Sequence, residues 1–246
     1  MKVVDQMALG MRSLVFPGLD LHTRNRADLC RFWRKGPRDF LDAGSGNGYF
    51  SWLAYLSGAR VVAFNYNDTQ VEKARGLLLG YRKADPLRLR FEQRNLYDLG
   101  TEQRSFDEII CYETLEHIQR DSDVVREFFR LLRPGGTLHV CCPNRLHPRH
   151  RAEVLDATEG GGHVRPGYTA EDYRTLLEPA GFRIEMTAGI GPRSVCIADA
   201  VLRWIRHRFG DVLALPLLPI GLLVLGFSRL NPEVPFSIYV QAVRPE

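Results

Sequence analysis

Short apolar runs along the chain, bounded by glycine or polar residues, alternate with segments of helical spacing. The runs at 38–43, 60–65, 106–111 and 137–142 predict buried strands. Residues 87–94 alternate apolar and charged side chains, which predicts a strand near an edge of a sheet. Between the runs, apolar side chains every three or four positions predict helices. This order indicates an α/β fold with a doubly wound, mostly parallel sheet.

The last third of the chain is less regular. Two further strands are predicted at 182–190 and 236–243, and a capping box at Thr169 predicts the start of a helix before the first of them. A segment of about forty residues, 191–235, separates these strands and is longer than a plain connection needs. Its first half has the pattern of a basic amphipathic helix, and its second half, 212–227, carries no charge but contains prolines and glycines.

The segment before the first strand, residues 1–36, predicts a cover helix over one side of the fold. Thr23 or Asn25 is the expected N-cap, and the apolar side chains at Leu29, Phe32 and Trp33 follow at helical spacing. With 246 residues, about 45% of them hydrophobic, the chain is expected to form a single domain, 1–246, with the segment 191–235 inserted into it.

Charge and cysteine content narrow the classes of function. The net charge of +4 is too small to indicate nucleic-acid binding by itself. Five cysteines without metal-ligand spacing are typical of small buried hydrophobic residues in a reducing compartment, and no metal site is predicted. The sequence shows no signal peptide and no run of about 20 apolar residues. A cytoplasmic protein is therefore expected, with peripheral contact at the inner face of the membrane as an alternative.

The stretch at 40–48, Phe-Leu-Asp-Ala-Gly-Ser-Gly-Asn-Gly, is the strongest local signal in the chain. Two apolar residues end a predicted strand, three alternating glycines allow a sharp turn, and helical spacing starts at Tyr49. A strand, a glycine turn and a helix N-terminus place a nucleotide-like ligand outside the carboxyl end of a sheet. The alternative is a tight connection that binds nothing.

Two companion motifs favour the ligand. Phe-Asp-Glu-Ile-Ile-Cys-Tyr-Glu-Thr-Leu-Glu-His-Ile at 106–118 and Leu-Leu-Arg-Pro-Gly-Gly-Thr-Leu at 131–138 follow the glycine stretch in order. Together the three motifs resemble class I S-adenosylmethionine-dependent methyltransferases, most closely the ubiquinone and menaquinone O-methyltransferase branch. The resemblance covers roughly residues 38–190. It implies a Rossmann-like, seven-stranded sheet with an antiparallel last strand, and S-adenosyl-L-methionine as cofactor.

The resemblance also implies cofactor contacts at the ends of four strands. The glycine turn would contact the cofactor's amino-acid end, and the end of the second strand would contact its ribose. The end of the third strand would contact the adenine, and the end of the fourth strand would contact the methionine side. Asn65 departs from the family, which usually has Asp or Glu there, and Asn67 or Asp68 could either compensate or cap the next helix. Asn95 and Leu96 could also form an ordinary loop. The implied residues are Asp42, Gly44, Ser45, Gly46, Gly48, Asn65, Asn95, Leu96 and Tyr112.

Two histidines are candidates for the proton transfer that methylation of a hydroxyl requires. His117 ends Glu113-Thr114-Leu115-Glu116-His117 in the second motif. In the architecture that the resemblance implies, this place lies beside the path by which the methyl group leaves. Histidine is a base with a pKa near neutral pH, which suits the removal of a hydroxyl proton. His163 follows three glycines that indicate a mobile flap. The alternative is that both imidazoles only hydrogen-bond to backbone and shape the site.

The segment at 198–227 has the pattern of a membrane-surface element, which would deliver a lipid-tailed acceptor such as a prenylated phenol or a lipid-linked sugar. Its alternative is an ordinary lid over a small-molecule substrate. A nucleic-acid methyltransferase is disfavoured, because Tyr112-Glu113-Thr114-Leu115 does not resemble the Asn/Asp-Pro-Pro-aromatic run of amino-methylating DNA enzymes. A cofactor-binding protein without methyl transfer is the remaining alternative, and the oligomeric state is not predicted.

Overall fold

The structure, a computed structural model, describes residues 16–100 and 104–246. Its sheet has seven strands in the order β3-β2-β1-β4-β5-β7-β6. β1 lies parallel to both β2 and β4, β2 to β3, and β4 to β5. The strands are β1 (Asp39–Ala43), β2 (Arg60–Asn65), β3 (Leu89–Gln93), β4 (Phe106–Tyr112), β5 (Leu132–Pro143), β6 (Arg183–Ile190) and β7 (Ser237–Val243).

The last strand runs against its neighbour. Gly135 and Arg244 show this, because the Gly135 N–H donates to the Arg244 carbonyl at 2.8 Å and the Arg244 N–H donates to the Gly136 carbonyl at 2.9 Å. Such reciprocal bonds are the pattern of an antiparallel pair. The predicted doubly wound, mostly parallel sheet of seven strands with an antiparallel end is therefore confirmed.

The helices fill the connections between strands. They are α1 (Leu21–Arg26), α2 (Tyr49–Leu56), α3 (Asp68–Arg75), α4 (Asp121–Leu131), α5 (Pro148–Arg151), α6 (Ala170–Leu177), α7 (Arg193–Phe209), α8 (Asp211–Ala214) and α9 (Leu218–Gly226). The capping box at Thr169 is confirmed, with its hydroxyl and the Asp172 carboxylate each bonded to the other residue's backbone N–H. Among the described residues, no helix is both long and apolar enough to cross a bilayer.

The predicted N-cap of the first helix is wrong. Asp20 caps α1, since its carboxylate accepts from the backbone N–H of His22 at 2.9 Å and of Thr23 at 3.4 Å. A carboxylate suits this place because it faces the positive end of the helix dipole. The Asn25 side chain instead donates to the Ser228 hydroxyl at 2.9 Å. After α1 the chain continues as a tighter 3₁₀ turn, Ala27–Phe32.

Two strand boundaries also differ from the prediction. β3 begins at Leu89 rather than at residue 87, because the Asp85 side chain accepts from the Leu87 N–H at 2.9 Å and turns the chain there, leaving Leu87 81% exposed. β5 begins at Leu132 rather than at residue 137. The Pro-Gly-Gly motif at 134–136 thus lies within β5, where Gly135 has a φ of 71° and the register with β4 shifts, shortly after α4 ends at Leu131.

A buried polar network crosses the sheet. The Glu108 carboxylate on β4 lies 2.5 Å from Arg38 Nε and 2.8 Å from His139 Nε2 on β5. The other imidazole nitrogen of His139 lies 2.7 Å from the Tyr239 hydroxyl on β7. Because wrong strand registers would leave these buried groups without partners, the network favours one arrangement of β4, β5 and β7.

The described chain divides into two compact units. The larger unit holds the sheet and consists of residues 33–188 and 238–246. Its buried core packs α4 and α6 against one face of the strands, with Phe128, Tyr173 and Val240 among its fully buried residues.

The smaller unit combines the residues before position 33 with residues 189–237. The second part of this unit contains the segment 191–235, and residues 16–32 of the cover segment belong to the same unit. The division of the chain into a domain with an insertion stays a prediction. The Leu21 N–H donates to the buried Asp199 carboxylate at 3.0 Å. Residues 1–15 of the predicted cover lie outside the described residues. The core of this unit is Leu19, Leu21, Val195, Leu202, Ala214 and Leu218.

Candidate active site

The glycine turn leaves β1 and enters α2 at its N-terminus. Gly44, Gly46 and Gly48 all have positive φ, at 92°, 52° and 81°. The N–H groups of Gly44 and Ser45 both donate to the Phe64 carbonyl on β2 at 2.9 Å, and the Gly48 N–H returns to the Ser45 carbonyl at 2.8 Å. These bonds fold the turn sharply at the carboxyl end of the sheet.

Gly44 is required by close packing as well as by its φ. A Cβ on Gly44 would lie 2.2 Å from Thr114 Oγ1, so glycine allows the loop after β4 to lie against the turn. Gly46 is different, since a Cβ there would approach only Gln70 Oε1, at 4.0 Å. Within residues 16–100 and 104–246, the Gly46 N–H makes no hydrogen bond. An available N–H beside open space fits the carboxylate of an amino-acid group.

Asp42, at the end of β1, is buried below the turn. The Ser51 hydroxyl on α2 donates to its carboxylate at 2.5 Å. Burial raises the pKa of Asp42 to about 7, and the Ser51 hydrogen bonds oppose that rise only in part. The carboxyl group therefore changes charge near neutral pH, and a cationic ligand would favour its ionised form.

We predict that cofactor affinity depends on the charge of Asp42. Below pH 7 the carboxyl must lose its proton before it can attract the ligand's ammonium group, so affinity should fall by up to about tenfold per pH unit. Calorimetric titration with S-adenosylhomocysteine between pH 8 and pH 5 measures this slope. Asp42→Asn should bind more weakly at pH 8 and lose most of the slope; a variant with the wild-type slope contradicts this role.

Asn65 ends β2, at the position implied for the ribose. Its side-chain oxygen accepts from the Asn67 N–H at 2.8 Å, and the Asn67 side chain accepts from the Gln70 N–H at 3.2 Å. Asn67 is thus the N-cap of α3. The amide NH₂ of Asn65 can still donate to a hydroxyl, but no charged acceptor is present on this side chain.

We predict that Asn65→Asp tightens cofactor binding, by up to about tenfold, or leaves it unchanged. The carboxylate keeps an oxygen for the Asn67 N–H and adds a charged acceptor for a ribose hydroxyl. Calorimetry measures the change, and Asn67→Asp is the matched control because it adds the same charge at an N-cap. Clear weakening by Asn65→Asp alone would count against the placement of the ribose.

Asn95 and Leu96, implied for the adenine, follow β3. The Asn95 side chain accepts from the Tyr97 N–H at 3.0 Å and forms a local turn, and Leu96 is buried in the core of the larger unit. Tyr112, implied for the methionine side, is buried at the end of β4. Its hydroxyl accepts from Trp33 Nε1 at 3.2 Å, and Phe50 of α2 packs edge-on against its ring.

The loop after β4 brings the two candidate histidines together. Glu113 takes a positive φ of 50°, which is uncommon for a residue with a side chain, and a single 3₁₀ turn follows at Leu115–His117. The ring centroids of His117 and His163 lie 4.7 Å apart. The backbone N–H of His117 donates to the Thr114 carbonyl at 3.0 Å. The two histidines therefore lie close to Thr114, the residue that packs against Gly44.

The glycine-rich loop that carries His163 is tied down at several points. The Asp156 N–H donates to the His163 carbonyl at 2.7 Å, and the Asp156 carboxylate accepts from the Gly162 N–H at 2.9 Å. The Glu159 carboxylate accepts from the Gln119 N–H at 2.6 Å and from the Tyr97 hydroxyl. This loop therefore connects the ends of β3 and β4.

Burial lowers the pKa of His117, and the nearby His163 lowers it further, whereas its hydrogen bond to Gly162 opposes this. At neutral pH the His117 imidazole is therefore uncharged and can take up a proton or bind a ligand through its lone pair. The sequence analysis did not single out two residues that lie next to predicted site residues. Thr114 packs against Gly44, and the buried Glu116 carboxylate faces His163. Their motif contained both residues, but spacing alone does not give side-chain direction.

Comparison with known proteins identifies this arrangement. Residues 41–140 match the family model described as a methyltransferase domain. Over this range the chain is similar to methyltransferase domains. They contain the glycine turn, Asn65, Asn95, Tyr112 and His117, whereas His163 lies beyond the matched range.

Individual relatives agree with this family. A Mycolicibacterium smegmatis protein named as a probable S-adenosylmethionine-dependent methyltransferase is 32% identical over 153 residues, which are 62% of this chain and 55% of the relative. A ubiquinone biosynthesis O-methyltransferase of Xanthomonas oryzae is 35% identical over 141 residues, 57% of this chain and 56% of that protein. The chain thus spans little more than half the length of these relatives.

A solved structure shows the same fold. An S-adenosylmethionine-dependent methyltransferase from Mesorhizobium loti superposes with a TM-score of 0.60 at 20% identity, covering 91% of this chain and all of that one. The predicted resemblance to class I methyltransferases is confirmed, and the Mycolicibacterium smegmatis relative is named as dependent on S-adenosylmethionine. The roles of individual residues in the methyltransferase domain stay predictions.

Proposed function

We propose that this chain is an S-adenosylmethionine-dependent O-methyltransferase that acts on a hydroxyl group of a small or lipid-tailed molecule. The observation that carries the proposal is the pair of imidazoles, His117 and His163, beside the loop that covers the glycine turn. An uncharged histidine at this place can remove the proton of an acceptor hydroxyl. The ubiquinone O-methyltransferase relative supports an oxygen acceptor.

The cofactor, when bound, supplies a methyl group on a positively charged sulfur. In our proposal the glycine turn and Asp42 hold its amino-acid end, and Asn65 binds the ribose. Asn95 and Leu96 contact the adenine, and the Tyr112 ring lies beside the positive charge, which an aromatic face attracts. The chain then has to hold the acceptor oxygen in line with the methyl group and to receive one proton.

One assay distinguishes the proposed function from two others, a methyltransferase that acts on a macromolecule and a cofactor-binding protein without methyl transfer. Purified chain is incubated with methyl-labelled S-adenosylmethionine and with lipid extract, aqueous metabolite extract, RNA, DNA or denatured protein. Label in the lipid or small-molecule fraction, stable to mild acid and base as an ether is, supports the proposal. Label in a macromolecule supports a macromolecular acceptor, and cofactor binding without label in any fraction supports a cofactor-binding protein. Either of these two results would overturn the proposal.

We further propose that the helices of the smaller unit contact a membrane surface, through which a lipid-tailed acceptor reaches the site. Trp204 on α7 is 63% exposed, and Leu223 and Phe227, on and just after α9, are 63% and 79% exposed. Arg203, Arg206 and Arg208 lie on the same α7 helix. Large apolar side chains with nearby cations are typical of elements that lie in the headgroup region.

Co-sedimentation with vesicles tests this contact. Vesicles of phosphatidylglycerol and phosphatidylcholine should bind the chain, and the double substitution Leu223→Asp with Phe227→Asp should release it. Leu87→Asp is the matched control because it places a charge at an equally exposed apolar residue of the larger unit. If the wild-type chain does not sediment with the vesicles, or if all three proteins sediment equally, the membrane contact is refuted. The segment is then interpreted as a lid over a small-molecule substrate.

A further inference from the structure

The Arg165 side chain joins the two loops that carry His117 and His163. Arg165 lies two positions after His163 in the chain. Its Nη2 donates to the carbonyl of Ile118 at 2.6 Å and to that of Gln119 at 2.8 Å. Ile118 directly follows His117. One guanidinium group therefore sets the distance between the segments that follow the two histidines.

Asp121 completes this contact at the start of α4. Its carboxylate pairs with Arg165 Nη1, and the Tyr168 hydroxyl lies 2.7 Å from the same carboxylate. The Tyr168 hydroxyl is also 3.2 Å from the Leu115 carbonyl, and this tyrosine is almost fully buried. The Arg165 and Asp121 side chains are only 26% and 13% exposed, so water competes less for this pair than for a pair on the surface.

The geometry of this contact suits arginine better than lysine. A planar guanidinium presents several N–H groups in fixed directions, so it can donate to two neighbouring carbonyls and to a carboxylate at once. A lysine ammonium at this place could pair with Asp121, but it could not hold both carbonyls in the same way. The contact therefore fixes the direction of the loop after β4 as well as its distance from residues 162–165.

The same contact holds the hydrogen-bond partner of the His117 ring. The Val164 N–H donates to the Glu116 carbonyl at 2.9 Å, so residues 162–165 run alongside the loop after β4. His117 Nδ1 lies 2.9 Å from the Gly162 carbonyl. A carbonyl only accepts, so Nδ1 carries the hydrogen, and the neutral ring keeps its lone pair on Nε2. The direction of that lone pair depends on where residues 162–165 lie.

We propose that Arg165 is a positioning residue for methyl transfer, which acts through His117 by holding the two histidine-bearing loops together. The assignment rests on the proposed function, in which an uncharged histidine removes the proton of the acceptor hydroxyl. Arg165 itself contacts neither cofactor nor acceptor in this proposal. Misplacing a reacting group by about 1 Å can cost about 10²-fold in rate, so loss of this contact lowers turnover rather than cofactor affinity.

A spectroscopic measurement tests this contact without any acceptor. Nitrogen-15 NMR of the histidine rings at pH 8 distinguishes a ring with its hydrogen on Nδ1 from one with its hydrogen on Nε2. In the wild-type chain we expect His117 to show the Nδ1–H form. In Arg165→Ala the Gly162 carbonyl should move away, and His117 should show a mixture of both forms. Arg174→Ala, which removes an exposed arginine that pairs with Glu171, is the matched control and should keep the wild-type signal.

Rates and affinities test whether the contact serves the reaction. We expect Arg165→Ala to lower kcat by about 10²-fold, while its affinity for S-adenosylhomocysteine stays within about threefold of the wild-type value. Arg165→Lys should lose less of the rate, because its ammonium group can still pair with Asp121. Millimolar guanidinium chloride should raise the kcat of Arg165→Ala and restore its Nδ1–H signal, whereas an equal concentration of sodium chloride should do neither.

The outcomes separate this proposal from the proposed function. A wild-type NMR signal or a wild-type kcat in Arg165→Ala overturns the positioning role, and so does equal recovery in both salts. If the wild-type chain methylates no acceptor, the proposed function fails, and the NMR signals alone decide whether Arg165 orients His117. Circular dichroism checks the folding of each variant. If Arg165→Ala does not fold, Arg165→Lys decides by the same criteria, since it keeps a positive charge beside Asp121.

Discussion

Gly44→Ala is expected to abolish useful cofactor binding and to destabilise the chain by about 3 kcal/mol. The new Cβ would lie 2.2 Å from Thr114 Oγ1 and 2.7 Å from its methyl carbon, at a φ of 92° that alanine rarely adopts. Either the glycine turn or the loop after β4 must then move, and a shift costing 1.4 kcal/mol in the bound state already weakens binding tenfold. Thermal unfolding and calorimetric titration with S-adenosylhomocysteine measure the two effects.

Gly46→Ala is the matched control for this substitution. Its Cβ would approach nothing closer than 4.0 Å, and its φ of 52° lies in the left-handed region that alanine reaches at a cost of about 1 kcal/mol. We expect a small loss of stability, with a loss of binding only if the cofactor fills the space beside Gly46. Gly44→Ala that binds cofactor like the wild-type chain would refute the assignment of this turn.

His117→Ala should lower turnover by about 10²- to 10⁴-fold while changing cofactor affinity by less than about threefold. The side chain is predicted to act on the acceptor oxygen, and its contacts are with the His163 loop rather than with the glycine turn. Single-turnover rates with labelled cofactor, together with calorimetric affinities, give the two numbers separately.

His207→Ala is the control, because it removes an exposed histidine of the smaller unit and should match the wild-type chain in both measurements. Wild-type turnover in His117→Ala would remove this residue from the chemistry altogether.

The sheet and the glycine turn could be predicted because their signals are local and repeat in order. Apolar runs predict buried strands without information on their neighbours in the fold. Gly44, Gly46 and Gly48 all have positive φ angles, which residues with side chains rarely adopt. The order of three motifs then restricted the fold to one family, and the observed strand order agrees with it. Such features depend on a few neighbouring residues.

Features that depend on distant contacts were missed. The choice of Asp20 over Thr23 or Asn25 as the helix N-cap depends on Asn25 having a partner at Ser228, two hundred residues away in the chain. No local sequence pattern indicated that residues 16–32 and 189–237 belong to one unit. Likewise, Glu116 and His117 are neighbours in sequence, but only the position of His163 shows that their side chains meet.

The composition of the smaller unit has a consequence for how the chain is made. Leu21 leaves the ribosome 178 residues before Asp199, its hydrogen-bond partner. At 5 to 20 residues per second, this interval is roughly 10–35 s. Throughout it, Leu19 and Leu21 have no Val195, Leu202 or Leu218 to pack against. The nascent chain therefore carries Leu19 and Leu21 without these core partners until residues 195–218 have been synthesised.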